Sequence, residues 1–316
     1  YQEWMLMILF QDGFKIALLM KAILKLNKLF YPCLEFRLNC SGLLNTVLVV
    51  FNMYSTLLFA ANTNENYKLV WNDEFNYEGQ IDSQKWFHQI IIPNGKSWFN
   101  NEIQHYTNRT DNSFVSDGSL KIVVKKEEYY SQNQLKNYTS ARINSKFSFT
   151  YGRIEIRAKL PVGVGIWPAI WMLGQNINEK GAYWETKGYG EKTWPACGEI
   201  DILEHWGHDE NYVQSALHTP SSFGDTKNLG GRYLSNVKDK YNTYCLDWSS
   251  DMMTFSVNDT VHYEYHPKQK NDKTWPFYEN QYLILNVAVE PKIPLDFIND
   301  KMEIDYVRIY QFEKNN

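Results

Sequence analysis

From Tyr67 onward the sequence is a succession of short segments of alternating polarity cut by turn residues, with no long stretch of helical period. That pattern restricts the chain to sheet architectures, because side chains alternate faces along a strand but recur every 3.6 residues on a helix. Residues 153–160 alternate without a break and stop at Pro161, and residues 119–125 alternate after the turn pair Asp117-Gly118. Residues 252–257 and 261–265 flank Asn258-Asp-Thr and read as a hairpin. Residues 281–289 are nearly continuously apolar, as in a strand buried on both faces, and residues 302–310 close the pattern. Short strands without intervening helices predict an all-β fold, an antiparallel β-jelly-roll sandwich. Residues 175–195 form the one long polar, Gly-rich loop, and loops of that length are often functional.

The first sixty residues differ. Lys21, Lys25, Lys28 and Arg37 precede an uncharged apolar stretch over 43–61 that ends in small residues. Basic, then apolar, then small is the order of a secretory signal. The apolar run also approaches the length of a membrane anchor, although Asn45, Thr46, Asn52, Ser55 and Thr56 dilute it. Residues 1–61 are therefore expected to be a cleaved leader, with an anchor as the competing reading. Residues 62–316 would be the exported domain, secreted or held at the cell surface or in the periplasm. Net charge is −4, and without residues 1–61 it is −6, so no basic field for nucleic acid exists. Aromatics make up 16% of residues, including 11 Trp and 22 Tyr, which suits either an aromatic core or a surface that stacks sugar rings. Cys33 and Cys40 lie in the leader; Cys197 and Cys245 lack metal-site spacing, and their pairing is left open.

Chemistry concentrates in Gly198-Glu-Ile-Asp-Ile-Leu-Glu-His-Trp-Gly207. On a regular strand Glu199 and Asp201 share a face while Glu204 has the wrong parity. One extra residue, a β-bulge near Ile202-Leu203, restores parity and gathers all three carboxylates, with Ile200 and one or both of Ile202 and Leu203 toward the core. Crowded carboxylates push one another's pKa values apart, which suits a pair in which one is ionised and one holds a proton. Retaining glycoside hydrolysis needs such a pair, about 5–5.5 Å apart. The plainer alternative is a solvated acidic strand.

Gly198-Glu-Ile-Asp-Ile-Leu-Glu204 resembles the signature of glycoside hydrolase family 16 in its bulged form. Phe99-Asn-Asn-Glu-Ile-Gln-His-Tyr-Thr107, Gly165-Ile-Trp-Pro-Ala-Ile-Trp-Met-Leu173, Trp194-Pro-Ala-Cys-Gly-Glu199 and Tyr306-Val-Arg-Ile-Tyr-Gln311 are similar to its laminarinase-like, endo-1,3-β-glucanase branch. The resemblance implies a jelly roll with a concave substrate cleft, Glu199 as nucleophile, Glu204 as general acid/base, and Asp201 hydrogen-bonded to the nucleophile. It implies sugar contacts by Trp167 and Trp171, on either side of a Pro-Ala turn, and by Asn100, Glu102 and Arg142. His218 would lie near the leaving-group side, and Trp98 and Trp194 are further candidate platforms. No cofactor is implied for the chemistry. Asp305 matches an acid associated with a structural calcium. The expected partner is a polysaccharide, a β-1,3-glucan or mixed-linkage β-glucan, acted on by a monomer. The alternatives are a hydrolase of an algal galactan, a non-catalytic carbohydrate-binding jelly roll, and transglycosylation through the same intermediate. Two departures from the family pattern stand out. Ala288-Val-Glu-Pro291 replaces a Gly-rich segment, so Glu290 alters one cleft rim. His205 follows the acid/base, where an imidazolium would lower the pKa of Glu204 unless neighbouring carboxylates dominate.

Overall fold

The computed structural model describes residues 67–312, and both the expected leader and its apolar run lie outside the described residues. Among the described residues no helix is long and apolar enough to cross a membrane. In chain order the strands begin with β1 (Tyr67–Asp73), β2 (Trp86–His88), β3 (His105–Tyr106), β4 (Ser113–Ser116), β5 (Ser119–Ser131) and β6 (Gln134–Ser140). There follow β7 (Arg142–Phe149), β8 (Gly152–Lys159), β9 (Ile166–Gly174), β10 (Glu199–Glu204), β11 (Tyr212–His218) and β12 (Leu229–Tyr233). The last are β13 (Asn242–Trp248), β14 (Met253–Val257), β15 (Thr260–Tyr265), β16 (Gln281–Val289) and β17 (Asn299–Phe312).

They form two sheets. A seven-stranded sheet runs β12-β11-β10-β9-β16-β7-β2, and a ten-stranded sheet runs β15-β14-β13-β8-β17-β5-β6-β3, with β1 on β17 and β4 on β5. Every pairing is antiparallel except the two-residue contact of β3 with β6. This is the all-β jelly-roll sandwich expected from the alternation. β8 shows why: Ile154, Ile156 and Ala158 enter the core while Arg153, Glu155 and Arg157 face outward. β16 is buried at all nine positions, as its apolar run requires. Asn258 and Asp259 both take positive φ between β14 and β15, the geometry of a two-residue hairpin loop.

One local expectation is corrected. Pro168-Ala169 is no turn: it lies inside β9, so Trp167 and Trp171 project from the same face of one strand. Proline is tolerated there because Pro168 faces the side on which β10 has ended. The last β10 pair is Glu204 with Ala169, and the Pro168 carbonyl accepts from the backbone N–H of His205 instead. Cys197 and Cys245 are both free and buried.

Candidate active site

β10 carries the bulge that residue parity demands. Asp201 pairs with Trp171 on β9 and Glu204 with Ala169, so Ile202 and Leu203 together oppose the single residue Ile170. On the other side Asp201 pairs with Ala216 and Glu204 with Gln214, and the same two residues oppose Ser215. Ile200, Ile202 and Leu203 all enter the core. Ser215 secures the irregularity: its buried hydroxyl donates to the Ile202 carbonyl at 2.7 Å and lies 2.9 Å from His262 Nε2 on β15. Because the hydroxyl proton is committed to Ile202, His262 Nε2–H is the donor to Ser215. At the start of the strand Gly198 holds φ +76°, and a Cβ there would meet the Phe277 ring at 2.8 Å.

The carboxylates therefore line one face, the floor of a cleft of about 750 Å³. Alternate residues of neighbouring strands complete it: Trp167, Ala169 and Trp171 from β9, Gln214 and His218 from β11, and Asn286 from β16. Glu199 accepts a hydrogen bond from Trp194 Nε1 at 3.0 Å. His218 is the cross-strand partner of Glu199. Its Nε2 lies 3.5 Å from Glu199 Oε1 and 3.3 Å from Asp201 Oδ2, within ion-pair reach. Asp201 Oδ2 nevertheless makes no aligned hydrogen bond. Thus His218, expected near the leaving-group side, stands beside Glu199 and Asp201, and the close contact of Asp201 Oδ2 is with that histidine.

Burial dominates the electrostatics. It pushes Asp201 up to about 8. Glu204 is likewise pushed up to about 8, by burial first and then by the charge of Asp201. Burial also raises Glu199 well above the ordinary carboxyl range, with Asp201 adding to it and His218 opposing. His205 does not oppose the proton on Glu204. It is fully buried and its Nδ1–H donates to the Tyr212 carbonyl at 2.7 Å. Burial lowers its pKa, so the ring is neutral. The rise of Glu204 thus owes more to burial than to neighbouring carboxylates.

The remaining candidates divide. Asn100, Glu102, Arg142, Trp167, Trp171 and Trp194 line the cleft. Trp194 is 42% exposed, a ring available at the surface. Trp98 is 1% exposed and packs with Ile92 and Tyr106, so it is core rather than platform. Arg142 is buried, donating to Glu179 Oε1 at 2.8 Å and Gln89 Oε1 at 3.0 Å. Its guanidinium lies against the rings of Trp171 and Trp98. It thereby ties the 175–195 loop to the cleft floor. Glu102 Oε2 accepts from Gln104 Nε2 at 2.6 Å and Tyr106 OH at 3.0 Å. Tyr106 OH accepts from Asn286 Nδ2, and Asn286 Oδ1 accepts from Trp171 Nε1 at 2.7 Å. This relay fixes the Trp171 indole from below. Asp305 lies on the other sheet and is paired with Arg157. Among the described residues the one group of three His, Cys, Asp or Glu side chains placed to share a metal ion is Glu199, Asp201 and His218.

Trp206, Gln214, Glu179 and Asn286 also line the cleft and were not singled out from the sequence. Trp206 stacks on Trp167 at 5.6 Å. The signal for Asn286 was present: it is a lone polar side chain inside the apolar run of β16.

A bulged strand presenting paired carboxylates on an aromatic-flanked cleft of a jelly roll defines a glycoside hydrolase. Residues 99–308 match the model of glycosyl hydrolases family 16, and the chain belongs to that family. Among curated proteins it is 34% identical over 263 residues to a beta-glucanase of Rhodothermus marinus, covering 78% of this chain and 86% of that protein. It is 33% identical over 276 residues to a glucan endo-1,3-beta-glucosidase of Cryptopygus antarcticus, covering 80% and 95% respectively. Among solved structures it resembles a LamA variant from Z. galactanivorans in complex with laminaritriose and laminaritetraose. There the TM-score is 0.71 and the identity 47%, over 77% of this chain and 99% of that one.

Proposed function

We propose that this chain is an endo-acting, retaining hydrolase of β-1,3-glucan that also tolerates mixed 1,3-1,4 linkages. The observation that carries the reading is the bulge of β10, which sets Glu199, Asp201 and Glu204 on one face of an open cleft between Trp194 on one side and Trp167 and Trp171 on the other. In the first step the ionised Glu199 attacks the anomeric carbon while Glu204 protonates the departing glycosidic oxygen. The sugar–oxygen bond breaks and an ester to Glu199 forms. In the second, Glu204, now a carboxylate, takes a proton from water, whose oxygen displaces Glu199 and restores the starting configuration. Asp201 and His218 hold the charge balance beside Glu199. Indole faces suit the C–H faces of glucose rings, and an open cleft admits a chain at interior bonds. The basic-then-apolar order of residues 21–61 supports export of the catalytic domain, by a cleaved signal more than by an anchor.

The test is incubation of the protein with laminarin, lichenan, agarose, porphyran and carrageenan, reading new reducing ends and product sizes. Oligosaccharides are expected from laminarin and, more slowly, from lichenan. Release from the galactans alone transfers the site to those substrates, and release from none removes the hydrolase reading.

A further inference from the structure

A second, smaller cavity of about 350 Å³ opens beside the cleft. Trp206 and Gln214 line both spaces, and Gln214 is the cross-strand partner of Glu204, so the cavity adjoins the acid/base carboxyl. Its other walls include Tyr212, Asp209, Glu290 and Lys292. Glu290 belongs to the segment where this chain departs from the family pattern. Its Oε2 is buried and ion-paired with Lys292 Nζ at 3.4 Å, while the side chain as a whole stays 20% exposed. Asp209 Oδ2 accepts from Tyr233 OH at 3.1 Å.

The chemistry of these walls is selective. Asp209 and Glu290, facing the Lys292 ammonium and the His208 ring, give the space carboxylate acceptors as well as donors. Sugar hydroxyls supply both donors and acceptors to such walls, whereas a sulfate or carboxylate supplies no donor to Asp209 or Glu290. Trp206 and Tyr212 add ring faces for a pyranose. The volume is at the lower end of ligand pockets, about 300–1,000 Å³, so it suits one sugar and not a second chain. For a glucan chain bound along the cleft, this space lies to the side of the sugar next to Glu204, because Trp206 and Gln214 line both.

We propose that the cavity is a branch subsite, taking a single neutral hexosyl substituent carried by a backbone sugar bound beside Glu204, with Glu290 as its acceptor. The inference rests on the glucanase reading. The experiment measures kcat/KM of the wild type and of Glu290→Ala on an unbranched β-1,3-glucan and on one bearing single β-1,6-glucosyl branches. Mass spectrometry then locates branches in the products. The wild type is expected to cleave both and to release products with a branch next to the cleaved bond. Glu290→Ala is expected to lose about tenfold on the branched glucan, the effect of one hydrogen bond to a charged group, with far less change on the unbranched one. Equal losses on both glucans, no loss on either, or wild-type products that never carry a branch at the cleaved bond overturn the subsite. A wild type that cleaves only the unbranched glucan overturns the subsite and leaves the glucanase reading standing; one that cleaves neither overturns both.

Discussion

Glu199 and Glu204 share one buried floor, and their neighbours decide how their work is divided. Both are raised by burial and by the charge of Asp201, so the three carboxyls titrate as a unit. Glu199 receives the aligned N–H of Trp194 and lies 3.5 Å from His218, and both contacts favour its ionised form once the cluster gives up a proton, although His218 acts in the same direction on Glu204. In the proposed mechanism Glu204, raised chiefly by burial, keeps its proton for the departing oxygen. The division is testable through the leaving group. Glu204→Gln should lower kcat/KM on β-1,3-glucan about 10²–10⁴-fold, the usual range for general acid–base catalysis. The same variant should form its glycosyl-enzyme at nearly the wild-type rate from an aryl glycoside whose phenolate leaves without protonation. Glu199→Gln should lose both substrates. Equal loss of both in Glu204→Gln would reverse the assignment.

The strand is the scale at which the sequence was most informative and also where it stopped short. Parity alone required a bulge between Asp201 and Glu204, and the register shift lies there on both neighbouring strands. What secures it was not legible. Ser215 and His262 are 13 and about sixty residues away from Ile202, and a lone serine in an apolar strand carries no motif. The same holds for Arg142, read as a sugar contact but engaged by Glu179 from the 175–195 loop. Partners separated by a loop leave no period, whereas parity is local. Trp98 failed for a related reason, since a tryptophan next to a cleft motif looks alike whether its ring points into the cleft or into the core. The bulge predicts the effect of Ser215→Ala. It leaves the Ile202 carbonyl and His262 Nε2 without their shared partner in a buried place, at a cost of about 1–3 kcal/mol. Because Ser215 touches no substrate, the variant should lower kcat while leaving KM near the wild-type value, and Ser215→Thr should restore part of it. A rise in KM with kcat unchanged would place Ser215 in substrate binding instead.

Across the whole molecule the cleft and a partly exposed ion pair on the other sheet set opposite pH dependences. Arg308 hydrogen-bonds Glu74 and holds its pKa below the ordinary value. A lowered carboxyl contributes stability that is present above its unfolded pKa and lost as pH falls through the folded one, so this pair weakens the fold in acid. The floor carboxyls have the reverse sign. Glu204 and Asp201 are raised to about 8, chiefly by burial, and Glu102 is raised for the same first reason. Their contribution is fully present below the unfolded values, 4.5 for the glutamates and 3.8 for Asp201, and is lost as pH rises through the folded ones. The melting temperature should therefore decline between about pH 5 and about pH 9. Glu204→Gln removes one charge that must be forced into the floor. At about pH 8 that variant should melt several degrees above the wild type, since a chain of this size gains about 2–4 °C per kcal/mol. At about pH 5, where Glu204 is protonated in the folded protein, the two should nearly coincide. Scanning calorimetry of both proteins across this range checks the sign. A wild-type melting temperature that is flat or rising, with the variant no more stable at the alkaline end, would mean that water reaches the floor and relieves the burial on which the acid role of Glu204 depends.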